Sequence, residues 1–324
     1  MQVHLTYQPE GKALEVLREH VNDLIDFSFG PVIPSHRKIE VLVGGRPERQ
    51  MLEEHRDHLQ ALIIPWAGVP TNTRDLLGEY PRITVHNLHH NAVATAELAV
   101  SLLLAAAKQI IPYDRALRDH DWRMRYQSDR TLLLHDRKAL ILGYGEIGRR
   151  VGQALQGLNM QVIGVRRHQD EREVGGVTLY GPDHIPELLT AADCLLLTLP
   201  LTEETRGMIG ARELALLPDH AVLVNVSRGP IVDQGALFRA LQAGKIYGAG
   251  LDVWYNYPNS EENRNQTPPA DYAFHSLENV VLSPHRGGKS PRVEVLRMRA
   301  LAELLYAAAR GETMPNRVDL KLGY

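Results

Sequence analysis

Cysteine is nearly absent: Cys194 is the only one in 324 residues. No disulfide framework can form within the chain, which suits a reducing compartment. Cys194 lies in an apolar run and is expected in the core. An excess of one charge is also missing. Lys and Arg number 36 against 39 Asp and Glu, for a net charge of -3 spread along the chain. A nucleic-acid or polyanion partner is therefore not expected. Long apolar runs are missing as well. The longest, 98–107, is flanked by Glu97 and Lys108 and is too short to cross a bilayer. The start, Met1-Gln2-Val3-His4-Leu5-Thr6-Tyr7, has no basic-then-apolar layout of a signal peptide. We expect a cytoplasmic protein with no membrane partner. Repeats and low-complexity tracts are absent too, leaving an ordinary globular chain long enough for two domains.

What is present alternates between strand and helix patterns. Lys38-Ile39-Glu40-Val41-Leu42-Val43, Leu62-Ile63-Ile64-Pro65 and Ile83-Thr84-Val85-His86 read as strands, with a helical pattern at 50–58. A long helical pattern follows over 94–119, broad in its apolar face and interrupted at Pro112. A helix this apolar needs burial on more than one side, by bridging two domains or packing on a partner subunit. From Lys138 the alternation is regular. Strands are expected at 139–142, 161–165, 177–180, 194–198, 221–225, 247–251 and 280–283, with helices at 149–158 and 293–309 and a short polar tail. Near-continuous apolar strands separated by helices indicate a doubly wound parallel sheet. The stretch 256–269, rich in Pro, Asn and Glu, reads as a surface loop.

The fold class is therefore α/β, with two Rossmann-like domains. A dinucleotide domain over 94–289 is inserted in a discontinuous substrate domain, 1–93 with 290–324. The active site is expected in the cleft, beyond the carboxyl ends of the strands.

The most specific motif is Gly143-Tyr144-Gly145-Glu146-Ile147-Gly148, directly after an apolar strand and before a helix. Gly143 permits the tight turn, Gly145 lets the backbone approach a pyrophosphate, and Gly148 lets helix and strand pack closely. The helix N-terminus then faces the phosphate charge. Three further clusters follow strands: Asn225-Val226-Ser227-Arg228-Gly229-Pro230, Asp252, and Pro284-His285-Arg286-Gly287-Gly288. An arginine that forks onto a carboxylate and a histidine that moves a proton are what reduction of a 2-oxo acid requires beside a nicotinamide. Alone, Arg228 reads equally as a helix-end ion pair and His285 as a loop histidine. Their shared placement after successive strands favours the chemical reading.

These residues resemble the NAD(P)-dependent D-isomer-specific 2-hydroxyacid dehydrogenases. The resemblance runs through Thr95-Ala96-Glu97, the glycine motif, Leu199-Pro200-Leu201-Thr202-Glu203-Glu204-Thr205-Arg206-Gly207, the Arg228 segment to Asp233, Gly250-Leu251-Asp252-Val253 and Leu282-Ser283-Pro284-His285. It implies that Arg228 binds the substrate carboxylate and carbonyl and that His285 is the acid/base. Asp252 would contact the nicotinamide amide. Pro200, Thr205, Val226, Ser227 and Gly287 would join Gly143 to Gly148 in the cofactor groove, beside His285. The backbone of Trp66-Ala67-Gly68 would hold the substrate carboxylate. The helix starting near Ala94 would form a homodimer. The activity implied is hydride transfer between NAD(P)H and a small 2-oxo acid, as in a glyoxylate/hydroxypyruvate-type reductase.

Two departures stand out. The family's usual glutamate, five residues after the aspartate, is Tyr257 here. Without a carboxylate partner, His285 would lose a stabiliser of its protonated form. Three arrangements are open: Tyr257 orients the imidazole, Glu261 or Glu262 folds back as partner, or the site donates protons poorly. The last leaves room for a formate-like oxidation without proton transfer, or for a dinucleotide-sensing regulatory protein. Second, the strand after the glycines ends in Val165-Arg166-Arg167-His168, without the carboxylate that NAD-binding members set on the ribose. Arg166 and Arg167 suit a 2′-phosphate, so NADP(H) is expected ahead of NAD(H). His86, His89 and His90 follow the third strand, where they would line the substrate pocket. With no Cys or carboxylate beside them, no metal is expected.

Overall fold

The computed structural model describes residues 1–21, 24–127, 130–167 and 172–323. It divides into two compact units, Met1–Asn91 with Lys289–Tyr324, and Ala92–Gly288.

Unit 1 is a five-stranded parallel sheet. Its elements are β1 (Gln2–Leu5), α1 (Gly11–His20), β2 (Asp26–Phe29), β3 (Val41–Val43), α2 (Arg49–His55), β4 (Ala61–Ile64), α3 (Thr71–Leu77) and β5 (Thr84–Asn87). The spatial order is β2-β1-β3-β4-β5, that of a doubly wound fold. Alternate strand residues face two cores. Val3, Leu5, Val41 and Val43 meet α1 and the C-terminal helix Pro291–Ala309 through Val16, Leu17, Leu301 and Leu305. Leu42, Leu62 and Ile64 meet Leu52 and Leu77 on the other face. Each such side chain, fully buried, contributes about 1.5–3 kcal/mol.

The sequence reading passes over β1 and β2. His4 interrupts the apolar pattern of β1, yet it is fully buried. Its ring bonds to the Ser28 hydroxyl at 2.9 Å and the Gly30 carbonyl at 2.9 Å, so the polar group is satisfied. The tail is also not loose. Val318 N–H donates to the Val85 carbonyl at 2.8 Å, and its side chain is buried beside β5.

Unit 2 begins with α4 (Ala92–Ala107), α5 (Ile110–Arg118) and α6 (Arg123–Tyr126). The single helix expected over 94–119 is thus two, bent by 66°. The break falls at Gln109, in the left-handed region with φ 53, and not at Pro112. Pro112 lies in the first turn of α5, where its missing N–H costs no hydrogen bond. The apolar α4 finds its burial within unit 2, across the sheet. A Cβ on Gly250 would lie 2.7 Å from Leu102 Cβ, so the close approach of helix and sheet requires that glycine. Among the described residues no single helix is long and apolar enough to cross a membrane.

The rest of unit 2 runs β6 (Lys138–Leu142), α7 (Glu146–Gly157), β7 (Gln161–Val165), β8 (Glu173–Val174), β9 (Val177–Tyr180), α8 (Ile185–Leu189), β10 (Cys194–Leu197), α9 (Ala211–Leu216), β11 (Val222–Asn225), α10 (Gln234–Gln242), β12 (Gly248–Leu251) and β13 (Val280–Leu282). The helix expected from Arg149 starts three residues earlier, at the motif itself. The eight strands lie in the order β13-β12-β11-β10-β6-β7-β9-β8. All pairs are parallel except the two-residue edge strand β8. The chain reverses its winding between β6 and β10, where doubly wound sheets bind ligands. Register fixes what happens there. Val165, Leu142, Leu197, Asn225, Leu251 and Leu282 are paired in a row across the sheet. The loops that begin at 166, 143, 198, 226, 252 and 283 therefore leave one edge side by side.

Candidate active site

The first of these loops is the glycine turn. Gly143 has φ +94, and a Cβ there would fall 2.6 Å from the Leu199 backbone. Gly148 could not carry a Cβ either, because it would lie 2.6 Å from the Gly143 carbonyl oxygen. The Thr198 hydroxyl donates to that carbonyl at 2.8 Å. Gly145 differs from both. Its φ is negative, and a Cβ would meet nothing within 4 Å. Neither backbone conformation nor packing requires glycine there, and open space is what an approaching pyrophosphate needs. Glu146 opens α7 but is neutralised by ion pairs to Arg149 and Arg150. Ile147 packs into the core beneath the sheet.

Around the groove, Thr205 is buried and its hydroxyl donates to the Pro200 carbonyl at 2.7 Å, which shapes that loop. Val226 and Ser227 are buried. The Ser227 hydroxyl is shielded and has no hydrogen-bond partner among the described residues. Leaving a buried hydroxyl unpaired costs about 1–3 kcal/mol, which a bound ligand would recover. The residues present thus fit a dinucleotide. Arg166 is half-buried, with its Nε shielded and without a partner among the described residues. Arg167 is ion-paired with Glu204. His168 lies outside the described residues.

The second cluster is built by short polar links. Asn225 Oδ1 accepts from Ser227 N–H at 3.0 Å, and its Nδ2 donates to the Arg228 carbonyl at 3.0 Å. This turn projects Arg228 outward as an exposed side chain, with Nη1 donating to the Ser227 carbonyl at 2.7 Å. Gly229 then passes under the next loop, where a Cβ would be 2.3 Å from the Trp254 carbonyl.

Asp252 anchors the third cluster. It is 1% exposed. Oδ1 accepts from the Ser283 hydroxyl at 2.5 Å and Arg286 N–H at 2.7 Å, and Oδ2 from Gly287 N–H at 2.9 Å. Trp254 Nε1 donates to the Ser283 carbonyl at 2.8 Å. These bonds hold His285 at φ 57, a left-handed conformation that non-glycine residues keep only when their surroundings enforce it. The imidazole is exposed and meets the Tyr257 ring at 5.5 Å between centroids. Burial raises the Tyr257 phenol above its ordinary pKa, with the Trp254 N–H and the Arg228 charge opposing. Tyr257 is therefore a neutral phenol near both Arg228 and His285. Its hydroxyl accepts from Trp254 N–H at 3.1 Å. Glu261 is ion-paired with Arg264 at 2.5 Å and largely exposed, and Glu262 lies in an exposed 3-10 turn. The sequence reading gives no role to Asn225, Trp254 or Ser283, although Asn225 and Ser283 lie within its motifs. Only Asn225 carries a signal, as a turn-forming Asn at a strand end.

In unit 1, Trp66, Ala67 and Gly68 follow β4. The Asn87 amide donates to the Ala67 carbonyl at 2.6 Å and Leu88 N–H to the Trp66 carbonyl at 3.4 Å. Among the described residues, the Ala67 and Gly68 N–H groups make no hydrogen bond. The histidines do not act as one group. His86 is buried and bonded to the Pro315 carbonyl and the Thr84 hydroxyl, so it is not a free pocket wall. His90 accepts from Arg297 Nε at 3.2 Å. Among the described residues no three His, Cys, Asp or Glu side chains are grouped to hold a metal.

The family profile described as D-isomer specific 2-hydroxyacid dehydrogenase, NAD binding domain, matches residues 100–287. The chain belongs to the D-isomer-specific 2-hydroxyacid dehydrogenase family. Among its family relatives, a glyoxylate reductase of Korarchaeum cryptofilum is 38% identical over 230 residues, 69% of this chain and 65% of that protein. Over the first-ranking relatives, the match thus spans just under two thirds of their length. A glyoxylate/hydroxypyruvate reductase B of Pectobacterium carotovorum is 32% identical over 281 residues, covering 85% of this chain and 83% of that protein. The fold is similar to that of a D-isomer specific 2-hydroxyacid dehydrogenase from Xanthobacter autotrophicus Py2, solved in complex with NADPH and MES. The TM-score is 0.81 at 24% identity, covering 100% of this chain and 99% of the other.

Proposed function

We propose that this family member reduces a small 2-oxo acid to the D-2-hydroxy acid with NADPH. The observation that carries the reading is the row of in-register strand ends. It sets the glycine turn, Arg228, Asp252 and His285 on adjacent loops of one sheet edge. When bound, the nicotinamide supplies the hydride. Arg228 forks onto the substrate carboxylate and polarises the carbonyl, as an arginine beside a planar anion does. His285 gives the developing alkoxide its proton. Asp252 keeps the His285 loop in its strained conformation, and Tyr257 packs on the imidazole. The Ala67 and Gly68 amides are suited to the substrate carboxylate.

NADPH preference is supported by Arg166, whose guanidinium is unpaired at Nε among the described residues, and by the absence of a carboxylate in Val165-Arg166-Arg167-His168. The Arg167–Glu204 pair tempers it by engaging the second guanidinium. We further propose a homodimer through the segment that begins at α4. Ile110, Leu117, Trp122 and Tyr126 are all exposed there.

The test is a steady-state assay with a panel of 2-oxo acids and both reduced cofactors. Turnover with a lower KM for NADPH supports the proposal. Clear preference for NADH overturns the cofactor assignment. Tight cofactor binding without turnover on any acid would instead mark a dinucleotide-sensing protein.

A further inference from the structure

Unit 1 carries a recess of about 400 Å³ at the carboxyl edge of its sheet. Thr6 and Tyr7 follow β1, Gly45 and Arg46 follow β3, Trp66 follows β4, and Arg297 reaches in from the C-terminal helix. Two of these side chains are guanidinium cations, and no carboxylate lines the recess.

The surroundings cancel only part of the charge. Arg297 bonds to Glu294 at 2.7 Å. Its Nε donates to His90, whose pKa burial lowers to about 4, so that imidazole is neutral and brings no negative charge. Arg46 is exposed and makes no ion pair or hydrogen bond among the described residues. One guanidinium is thus uncompensated. Tyr7 adds a donor. Its hydroxyl is shielded from solvent and lies against Arg297, with no other hydrogen-bond partner among the described residues. Burial holds that phenol protonated, its pKa pushed up to about 12 against the pull of nearby Arg297. The floor is rigid: a Cβ on Gly45 would lie 2.0 Å from the Trp66 indole, and the Gly45 carbonyl accepts from the Thr73 hydroxyl at 2.9 Å.

We propose that this recess binds an anionic group, a carboxylate or a phosphate, at the far end of the substrate side chain. The preferred substrates are then 2-oxo acids with two negatively charged groups. The inference rests on the reading above, in which the Trp66-Ala67-Gly68 loop holds the 2-oxo acid's own carboxylate. Trp66 belongs to both loop and recess, so one end of the substrate lies on the loop and the other reaches Arg46, Arg297 and the Tyr7 hydroxyl.

The experiment compares wild type with Arg46→Gln, using NADPH and five acids: glyoxylate, pyruvate, oxaloacetate, 2-oxoglutarate and 3-phosphohydroxypyruvate. The wild type should favour one of the last three, and which one identifies carboxylate or phosphate. In Arg46→Gln its kcat/KM should fall about 10- to 100-fold, mostly through KM, as for loss of a charge-assisted hydrogen bond. Glyoxylate turnover should stay within about twofold, as expected for a substrate that does not reach the recess. Glyoxylate or pyruvate as the best substrate, or an equal loss on every acid, overturns the recess while leaving the reductase reading intact. If no acid is turned over, the reductase reading fails and binding alone decides. Calorimetric titration of 2-oxoglutarate and of inorganic phosphate should then show weaker binding to Arg46→Gln. Equal binding, or none to either protein, overturns the recess.

Discussion

The two units use the same doubly wound logic and end their first strands differently. In unit 2, β6 runs into a turn whose glycines bring backbone to the ligand position. In unit 1, β1 runs into Thr6-Tyr7-Gln8-Pro9-Glu10, with no glycine until Gly11. There the strand ends present side chains, a phenol, an indole and one guanidinium, and the C-terminal helix adds a second guanidinium. A backbone cradle suits a ligand shared by many proteins, such as a dinucleotide. A side-chain recess suits the part of the ligand that distinguishes one enzyme from another. The difference teaches that topology chooses where a ligand binds and the first strand–helix turn chooses its kind.

The strongest way to break this contrast lies in the glycine turn. Gly148→Ala sets a methyl against the Gly143 carbonyl. NADPH affinity should drop about 100-fold and the melting temperature should fall with it, as overpacked sites do. Gly145→Ala meets no protein atom, so its melting temperature should match wild type. NADPH affinity should still drop about tenfold, because the methyl occupies ligand space. Fluorescence titration and thermal melts separate the two. Equal destabilisation by both substitutions would show that Gly145 serves packing, not a ligand.

Tyr257→Glu sharpens the contrast within unit 2. A carboxylate beside the imidazole favours its protonated form, so the proton needed for reduction is retained to higher pH. The basic limb of the kcat/KM profile should move up by about one pH unit. An unchanged profile would show that residue 257 does not act on His285.

In unit 1 the smaller effect concerns His90. Its folded pKa is about 4 against an ordinary 6.5, so the unfolded chain takes up a proton that the fold refuses. The associated stability is complete above pH 6.5 and is lost as pH falls toward 4, on the order of 3 kcal/mol. His90→Gln, which can still accept from Arg297, should lose less stability over that window in urea melts. Identical acid sensitivity in both proteins would refute this.

Unit 2 was legible because its strands are continuous apolar runs and its turn is spelled in glycine. Arg228, Asp252 and His285 could be read as strand-end residues from the same pattern. The clamp that ties Asp252 to Ser283, Arg286 and Gly287 could not, since it joins two loops more than thirty residues apart. Unit 1 was less legible. β1 hides its periodicity behind a buried histidine that Ser28 and Gly30 satisfy. The helix break at Gln109 is a backbone conformation without a glycine to announce it, whereas Pro112, the visible breaker, sits harmlessly in a first turn. The recess draws Tyr7, Arg46, Trp66 and Arg297 from four separate stretches, which the sheet order and the packing of the C-terminal helix bring together.

The most direct measurement is NADPH oxidation by wild type and His285→Gln on the panel of 2-oxo acids, with NADPH binding measured in parallel. The account predicts turnover by wild type, a loss of about 100- to 10,000-fold in kcat for the variant, and unchanged cofactor affinity. Turnover by His285→Gln at the wild-type rate would contradict it.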